Sequence, residues 1–210
     1  MLTDWMRRSF KFVLDPLSKT LAWYGIAPNA LTVLGFMLHF GVAYLLYTGN
    51  FFWGAIAMAG ASAFDGVDGA LARASGRVSK FGAFLDSTLD RYSESVVYLG
   101  LLAYYGREGL LLPQILVYAT IIGSLLVSYT RARAEGLGIP CKEGLFTRVE
   151  RVVVLCLFLL INQMQIGLWI LAILAHATAV QRVYSVWRKT NGDLAPAETQ
   201  TPPPARPPEG

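Results

Sequence analysis

Apolar residues dominate six runs of the chain: Ala30 to Thr48, Phe51 to Phe64, Val96 to Tyr105, Leu110 to Tyr129, Val152 to Ile161 and Ile166 to Val180. Extended through small or weakly polar neighbours, each approaches the roughly 20 residues that a helix needs to cross about 30 Å of hydrocarbon. The pattern predicts an all-α integral membrane protein with six transmembrane helices. The first 24 residues follow a different rule. Leu2, Trp5, Met6, Phe10, Val13, Leu17 and Leu21 recur at helical spacing, with Arg7, Arg8, Lys11 and Lys19 on the other faces. That spacing predicts an N-terminal amphipathic helix lying on the membrane surface, interrupted at Asp15-Pro16, where Asp can cap and Pro can restart a helix. At the other end, "NGDLAPAETQTPPPARPPEG" holds six of the ten prolines and no aromatic residue, so it has nothing from which to build a core. Three segments result: 1–27, an amphipathic juxtamembrane segment; 28–189, a six-helix transmembrane domain; and 190–210, a disordered Pro-rich tail.

Composition agrees with the membrane reading. Hydrophobic residues make up 54% of the 210 and charged ones 15%, which excludes an ordinary soluble domain. Where the charge falls sets the orientation. Lys and Arg load the segment before the first run, the connection between the second and third (Arg73, Arg77, Lys80), and the one between the fourth and fifth (Arg131, Arg133, Lys142, Arg148, Arg151). Arg188 and Lys189 follow the sixth run. The alternate connections, "TGN", "GREG" and "NQMQ", are nearly bare. By the positive-inside rule the loaded loops and both termini are expected on the cytoplasmic side of the cell membrane. No apolar stretch with a small-residue cleavage site opens the chain, so no cleavable signal peptide is expected. Cys141 and Cys156 lack metal-ligand spacing and an oxidising compartment, and structural or incidental roles fit them better than a bridge. His39 and His176 stand alone on apolar helices and are expected to be packed and hydrogen-bonded. No nucleic-acid partner is expected.

Against this background, "FDGVDGALARASGRVSKFGAFLDSTLD", residues 64–90, carries four aspartates. An ionised Asp at bilayer depth costs about 2.5–3.5 kcal/mol on insertion scales, so each needs compensation. Asp65 and Asp68 are three residues apart near the inner end of the second run; Asp86 and Asp90 are four apart where the third begins. Each pair shares one helix face. Two antiparallel helices joined by a turn near Ser75 to Ser79 bring all four carboxylates to one gap, where neither Arg73 nor Arg91 alone can neutralise them. A hard divalent cation can, and oxygen-only donors favour Mg²⁺ or Mn²⁺, which share their coordination with substrate phosphates. Gly66, Gly69 and Gly82, with Ala70, Ala72 and Ala83, leave bare backbone for a bulky ligand. Helix packing through small residues, with aspartate–arginine pairs, and a transporter's ion site are the alternatives.

Written as a pattern, the stretch is Asp65-x2-Asp68-Gly69-x2-Ala72-Arg73-x8-Gly82-x3-Asp86-x3-Asp90. It resembles the signature of the CDP-alcohol phosphotransferases at every fixed position. The resemblance implies a six-helix membrane fold, a homodimer, dependence on Mg²⁺ or Mn²⁺, and displacement of CMP from a CDP-activated lipid such as CDP-diacylglycerol. It also implies roles: Asp65, Asp68 and Asp86 as metal ligands, and Asp90 as general base and possible further ligand. Gly69 and Arg73 would meet the diphosphate and nucleotide, and Ser79 would add a contact from the turn. "APNALTVLG" resembles the family's Pro-Asn-x-x-Thr motif, which brings Asn29 and Thr32 to the cytidine; Asn29 is also a candidate cap for its helix.

The acceptor is read from "SYTRARAEGLGIPCKEGLFTRVERVVVL", residues 128–155. Arg131, Arg148 and Arg151 fall on the side of the acidic gap, and Arg182 lies about 9 Å before Arg188 along the last helix. Guanidinium forks match phosphate oxygens in pairs, so these four are candidates for a phosphate on the second substrate. Setting the membrane orientation is an equal reading for Arg133, Lys142 and Arg188. The same stretch is similar to the subgroup that uses inositol phosphate to make phosphatidylinositol phosphate or archaetidylinositol phosphate. Glycerol 3-phosphate, as in a phosphatidylglycerophosphate synthase, is the runner-up acceptor, and a non-enzymatic divalent-ion carrier is the alternative of another class.

Overall fold

The computed structural model describes residues 20, 23, 25–141 and 143–191; the expected surface helix, its break at Asp15-Pro16 and the Pro-rich tail lie outside them. Among the described residues the chain forms six long helices: α1 (Pro28–Tyr47), α2 (Phe51–Ala74), α3 (Lys80–Arg107), α4 (Leu111–Gly136), α5 (Arg148–Leu160) and α6 (Met164–Thr190).

Why α1 forms is plain in its sequence. Pro28 takes the first helical position, where its missing N–H costs nothing. This displaces Asn29 into the helix. Ala27 is the N-cap and no side chain caps it, so Asn29 is not the cap its position suggested. Leu31, Gly35, His39, Val42 and Leu46 form a buried stripe at spacings of three and four. The opposite face leaves Val33, Leu34, Met37, Leu38, Phe40 and Tyr44 exposed. A helix apolar all round that buries only one stripe suits a lipid surround. By length and apolar composition α1, α4 and α6 can each cross a membrane. At 24 and 28 residues α2 and α3 are long enough, but they carry the charged residues of the site. The fifth element ends where its apolar run does and is shorter than the roughly 20 residues expected of a span. α5 has 13 residues, about 20 Å at a 1.5 Å rise, because the chain reverses at Ile161–Gln163 with Asn162 at φ 53°.

Helix packing is ring-like: α1 packs on both α2 and α3, α2 on α5, α5 on α6, α6 on α4, and α4 on α3. The consecutive pair α2 and α3 is not among the extensively packed ones. Their near ends are left facing a gap. A shared apolar core fills the ring away from that gap, with Leu46, Met58, Tyr98, Leu101, Leu155, Leu168 and Leu171 at its centre. The helices α1 and α3 approach each other closely at Gly100. A Cβ on Gly100 would stand 2.4 Å from the carbonyl oxygen of Ala43, so only glycine lets the two backbones meet there.

Candidate active site

Asp65 and Asp68 come from the second half of α2, and Asp86 and Asp90 from the second and third turns of α3. The third helix starts earlier than its apolar run because Ser79 caps it: the Ser79 hydroxyl accepts from the Gly82 N–H at 2.9 Å. Gly76, at φ 67°, closes the turn between the two helices. Electrostatic interactions link Asp86 to Asp65 and Asp68 and link Asp90 to Asp86 and Asp65, with Arg148 at the start of α5 among them.

Each acid is set differently. Asp68 is buried. It accepts from the Thr32 hydroxyl at 2.6 Å and from the Gly69 N–H. Asp65 rests against α1 where Gly35 has no side chain; a Cβ there would meet its Oδ1 at 2.7 Å. Behind it stands fully buried His39, whose Nδ1 lies 2.8 Å from the Gly35 carbonyl and whose Nε2 is 3.9 Å from Asp65 Oδ2. A carbonyl oxygen only accepts, so Nδ1 carries a proton. His176 makes the same turn-back contact to Ala172, at 3.0 Å, without a carboxylate beside it. Asp86 lies within electrostatic reach of Asp68, Asp65 and Arg148. Asp90 touches two arginines: Arg91 at 3.5 Å and Arg148 at 2.6 Å.

Arg148 joins the two helices. Its guanidinium lies 2.7 Å from Asp65 Oδ2 on α2 and 2.6 Å from Asp90 Oδ1 on α3. The start of α5 is held for this by a capping box, in which Glu150 accepts from the backbone N–H and the hydroxyl of Thr147. One turn on, Arg151 is buried in a two-point pair with Glu94, Nε to Oε1 at 2.6 Å and Nη2 to Oε2 at 2.8 Å. Glu94 was not anticipated, although it continues the face of Asp86 and Asp90 by another four residues.

The other sequence-selected residues fall into three places. Asn29 and Ser79 converge on Gly82: its Cβ would stand 3.1 Å from Asn29 Oδ1 and 3.0 Å from Ser79 Oγ. Arg73 curls back over Gly69 from the exposed end of α2. Arg131 is exposed on α4 and pairs with Glu135 at 2.8 Å. Arg182 is buried and binds main chain, donating to the Glu143 carbonyl at 2.9 Å and to that of Val127. It pins the loop between α4 and α5, helped by Lys189, which donates to Pro140 O and Glu143 Oε1, both at 2.6 Å. The Lys189 ammonium holds the Glu143 carboxyl below the usual carboxylate range. Cys141 is buried in that loop, and both cysteines are free thiols.

An apolar bundle of long helices, three of them able to cross a membrane, with an acidic cluster between two others, is the architecture of a membrane enzyme. The chain belongs to the CDP-alcohol phosphatidyltransferase family, which its sequence matches over residues 25–184. Among individual relatives, it is 40% identical over 185 residues to the archaetidylinositol phosphate synthase of Pyrococcus horikoshii, covering 88% of this chain and 96% of that one. The phosphatidylinositol phosphate synthase of Mycobacterium tuberculosis, solved with CDP-DAG bound, superposes with a TM-score of 0.78 at 31% identity, covering 83% of this chain and 94% of the other. The same mycobacterial enzyme, solved with manganese and citrate, matches with a TM-score of 0.76 at 31% identity over 83% and 88% of the two chains.

Whether this gap suits such an ion is answered by its donors. The four gap-facing acids supply only carboxylate oxygens, the donors that Mg²⁺ and Mn²⁺ favour. Between Asp65 and Asp90 the site already holds a cation, the Arg148 guanidinium. Among the described residues no three acidic, histidine or cysteine side chains close round one point; Arg148 stands between two of the four acids.

Proposed function

We propose that this chain is a phosphatidylinositol phosphate synthase-like transferase that moves the phosphatidyl group of CDP-diacylglycerol, or its ether-lipid counterpart, onto inositol phosphate and releases CMP. The observation that supports the reading is the Arg148 bridge between Asp65 and Asp90, with Asp86 in electrostatic reach of Asp65 and Asp68. The names of relatives that align over most of the chain support the choice of acceptor.

Asp65, Asp68 and Asp86 hold the divalent ion, Mg²⁺ or Mn²⁺, with Asp90 beside them. When bound, the ion supplies positive charge to the diphosphate and to the leaving CMP oxygen. Asn29, Thr32, Gly69, Arg73 and Ser79 bind the CDP-lipid: Asn29 and Ser79 face the cytidine side, and Gly69 leaves the backbone bare next to the Arg73 guanidinium. Asp90 takes the proton from the acceptor hydroxyl as its oxygen bonds to the lipid-side phosphorus; the phosphorus–oxygen bond to CMP breaks, and CMP departs with its electron pair. Arg131, Arg148, Arg151 and Arg182 form the acceptor side. In this reading Arg148 meets the phosphate once released from Asp65 and Asp90, while Arg151 and Arg182, tied to Glu94 and to main chain, fix its surroundings. The six helices form the transmembrane unit of a homodimer, with the gap and both termini on the cytoplasmic side of the cell membrane and the acyl chains among membrane lipids.

The test is acceptor exchange in a CMP-release assay with CDP-diacylglycerol and Mg²⁺ or Mn²⁺. CMP formation that requires inositol phosphate is the expected result. Formation with glycerol 3-phosphate in its place would make the chain a phosphatidylglycerophosphate synthase. Metal flux through vesicles without CMP would make it an ion carrier.

A further inference from the structure

Arg148 differs from its neighbours in what it touches. Both of its ion-pair partners, Asp65 Oδ2 and Asp90 Oδ1, are oxygens of the acidic gap, and they belong to different helices. Arg151 is committed to Glu94, which lies outside the gap, and Arg182 to main-chain carbonyls. An oxygen engaged at 2.6–2.7 Å by a guanidinium is not free to complete the shell of a divalent ion, and two cations drawn to the same oxygens repel each other. The backbone carrying Arg148 is fixed by the Thr147–Glu150 capping box and by the buried Glu94–Arg151 pair one turn away. Its side chain is 25% exposed. With the backbone held at both points, a rotation of the side chain is enough to release the guanidinium.

We propose that Arg148 is a displaceable counter-ion of the metal site. It bridges Asp65 and Asp90, is displaced when a divalent ion binds these carboxylates, and in its released position is offered to the acceptor's phosphate. Metal loading thereby opens the acceptor subsite. The inference rests on reading the gap as a divalent-ion site.

The experiment measures Mn²⁺ binding to the full chain in micelles, without substrate, from the free-Mn²⁺ electron paramagnetic resonance signal. Wild type is compared with Arg148→Gln, Arg148→Lys and Arg91→Gln, the last removing a charge beside Asp90 but no bridge. Arg148→Gln is expected to bind Mn²⁺ about tenfold more tightly, within the 5–150-fold range of ordinary site couplings, with Arg148→Lys between it and wild type and Arg91→Gln near wild type. By reciprocity, Mn²⁺ should strengthen inositol phosphate binding in the wild type and cease to do so in Arg148→Gln. Unchanged or weaker Mn²⁺ binding in both Arg148 variants, or an equal gain in Arg91→Gln, overturns the inference and leaves the metal site standing. Wild-type Mn²⁺ binding that is absent, or indifferent to Asp68→Asn, overturns the metal-site reading itself.

Discussion

Replacing Glu94 by Gln leaves the Arg151 fork facing an amide that offers one acceptor in place of two. In the intact chain the pair closes at 2.6 and 2.8 Å, with Arg151 2% exposed and Glu94 8%. The remaining contact of that guanidinium, to the Phe146 carbonyl, is long at 3.4 Å. Removing one partner of a buried ion pair costs about 3–5 kcal/mol, chiefly because the other charge stays uncompensated in a low-dielectric interior. Gln keeps a single hydrogen bond, so Glu94→Gln is expected at the lower end, about 3 kcal/mol, and Glu94→Ala at the upper end, about 5 kcal/mol. Replacing both residues by Met removes both charges at similar volume and is expected to recover most of the loss. Equilibrium unfolding of the detergent-solubilised protein measures these differences, and Glu94→Met, Arg151→Met and the double variant form a thermodynamic cycle. A Glu94→Gln loss under about 1 kcal/mol, the range of an exposed pair, would refute the argument, as would a double variant no more stable than the singles. The double variant also separates structure from acceptor binding: if Arg151 acts by fixing α5, a stable double variant keeps its acceptor dependence, because Arg148 still starts the helix.

Three other outcomes follow from the geometry. Thr32→Val removes the 2.6 Å donor to Asp68 at nearly constant volume, and metal titration of CMP release should show a requirement raised about 10–100-fold, the usual effect of losing a second-shell partner. Gly100→Ala drives a Cβ to 2.4 Å from the Ala43 carbonyl, and unfolding should show a loss of about 1–3 kcal/mol despite alanine's better helix propensity. Asp90→Asn should abolish turnover while CDP-lipid binding, followed by equilibrium dialysis, stays largely intact; substantial residual turnover would take Asp90 out of the base role.

Much of the bundle was legible because apolar runs long enough to span a bilayer have few alternatives, and the bare connections "TGN" and "NQMQ" are where the chain turns. The aspartate gap was legible for a related reason: spacings of three and four fix a helix face before any tertiary contact is known. Partners across helices were not legible. Arg73, Arg77 and Arg91 are the arginines nearest in sequence, yet Arg148, more than fifty residues downstream, bridges Asp65 and Asp90, because the packing of α2 on α5 is a property of the ring and not of local pattern. Glu94 carried a local signal, since Asp86, Asp90 and Glu94 descend one face of α3. Gly35 and His39 carried almost none: a glycine in an apolar helix reads as generic packing until the carboxylate it accommodates is known.

The most direct test of the central claim is anomalous diffraction from crystals of the chain soaked with Mn²⁺ and CDP-diacylglycerol. The account requires a manganese peak in the gap between α2 and α3, bonded to oxygens of Asp65, Asp68 and Asp86 and to the lipid diphosphate, with Arg148 withdrawn from Asp65. A manganese peak elsewhere in the molecule, or a diphosphate seated away from these carboxylates, would contradict it.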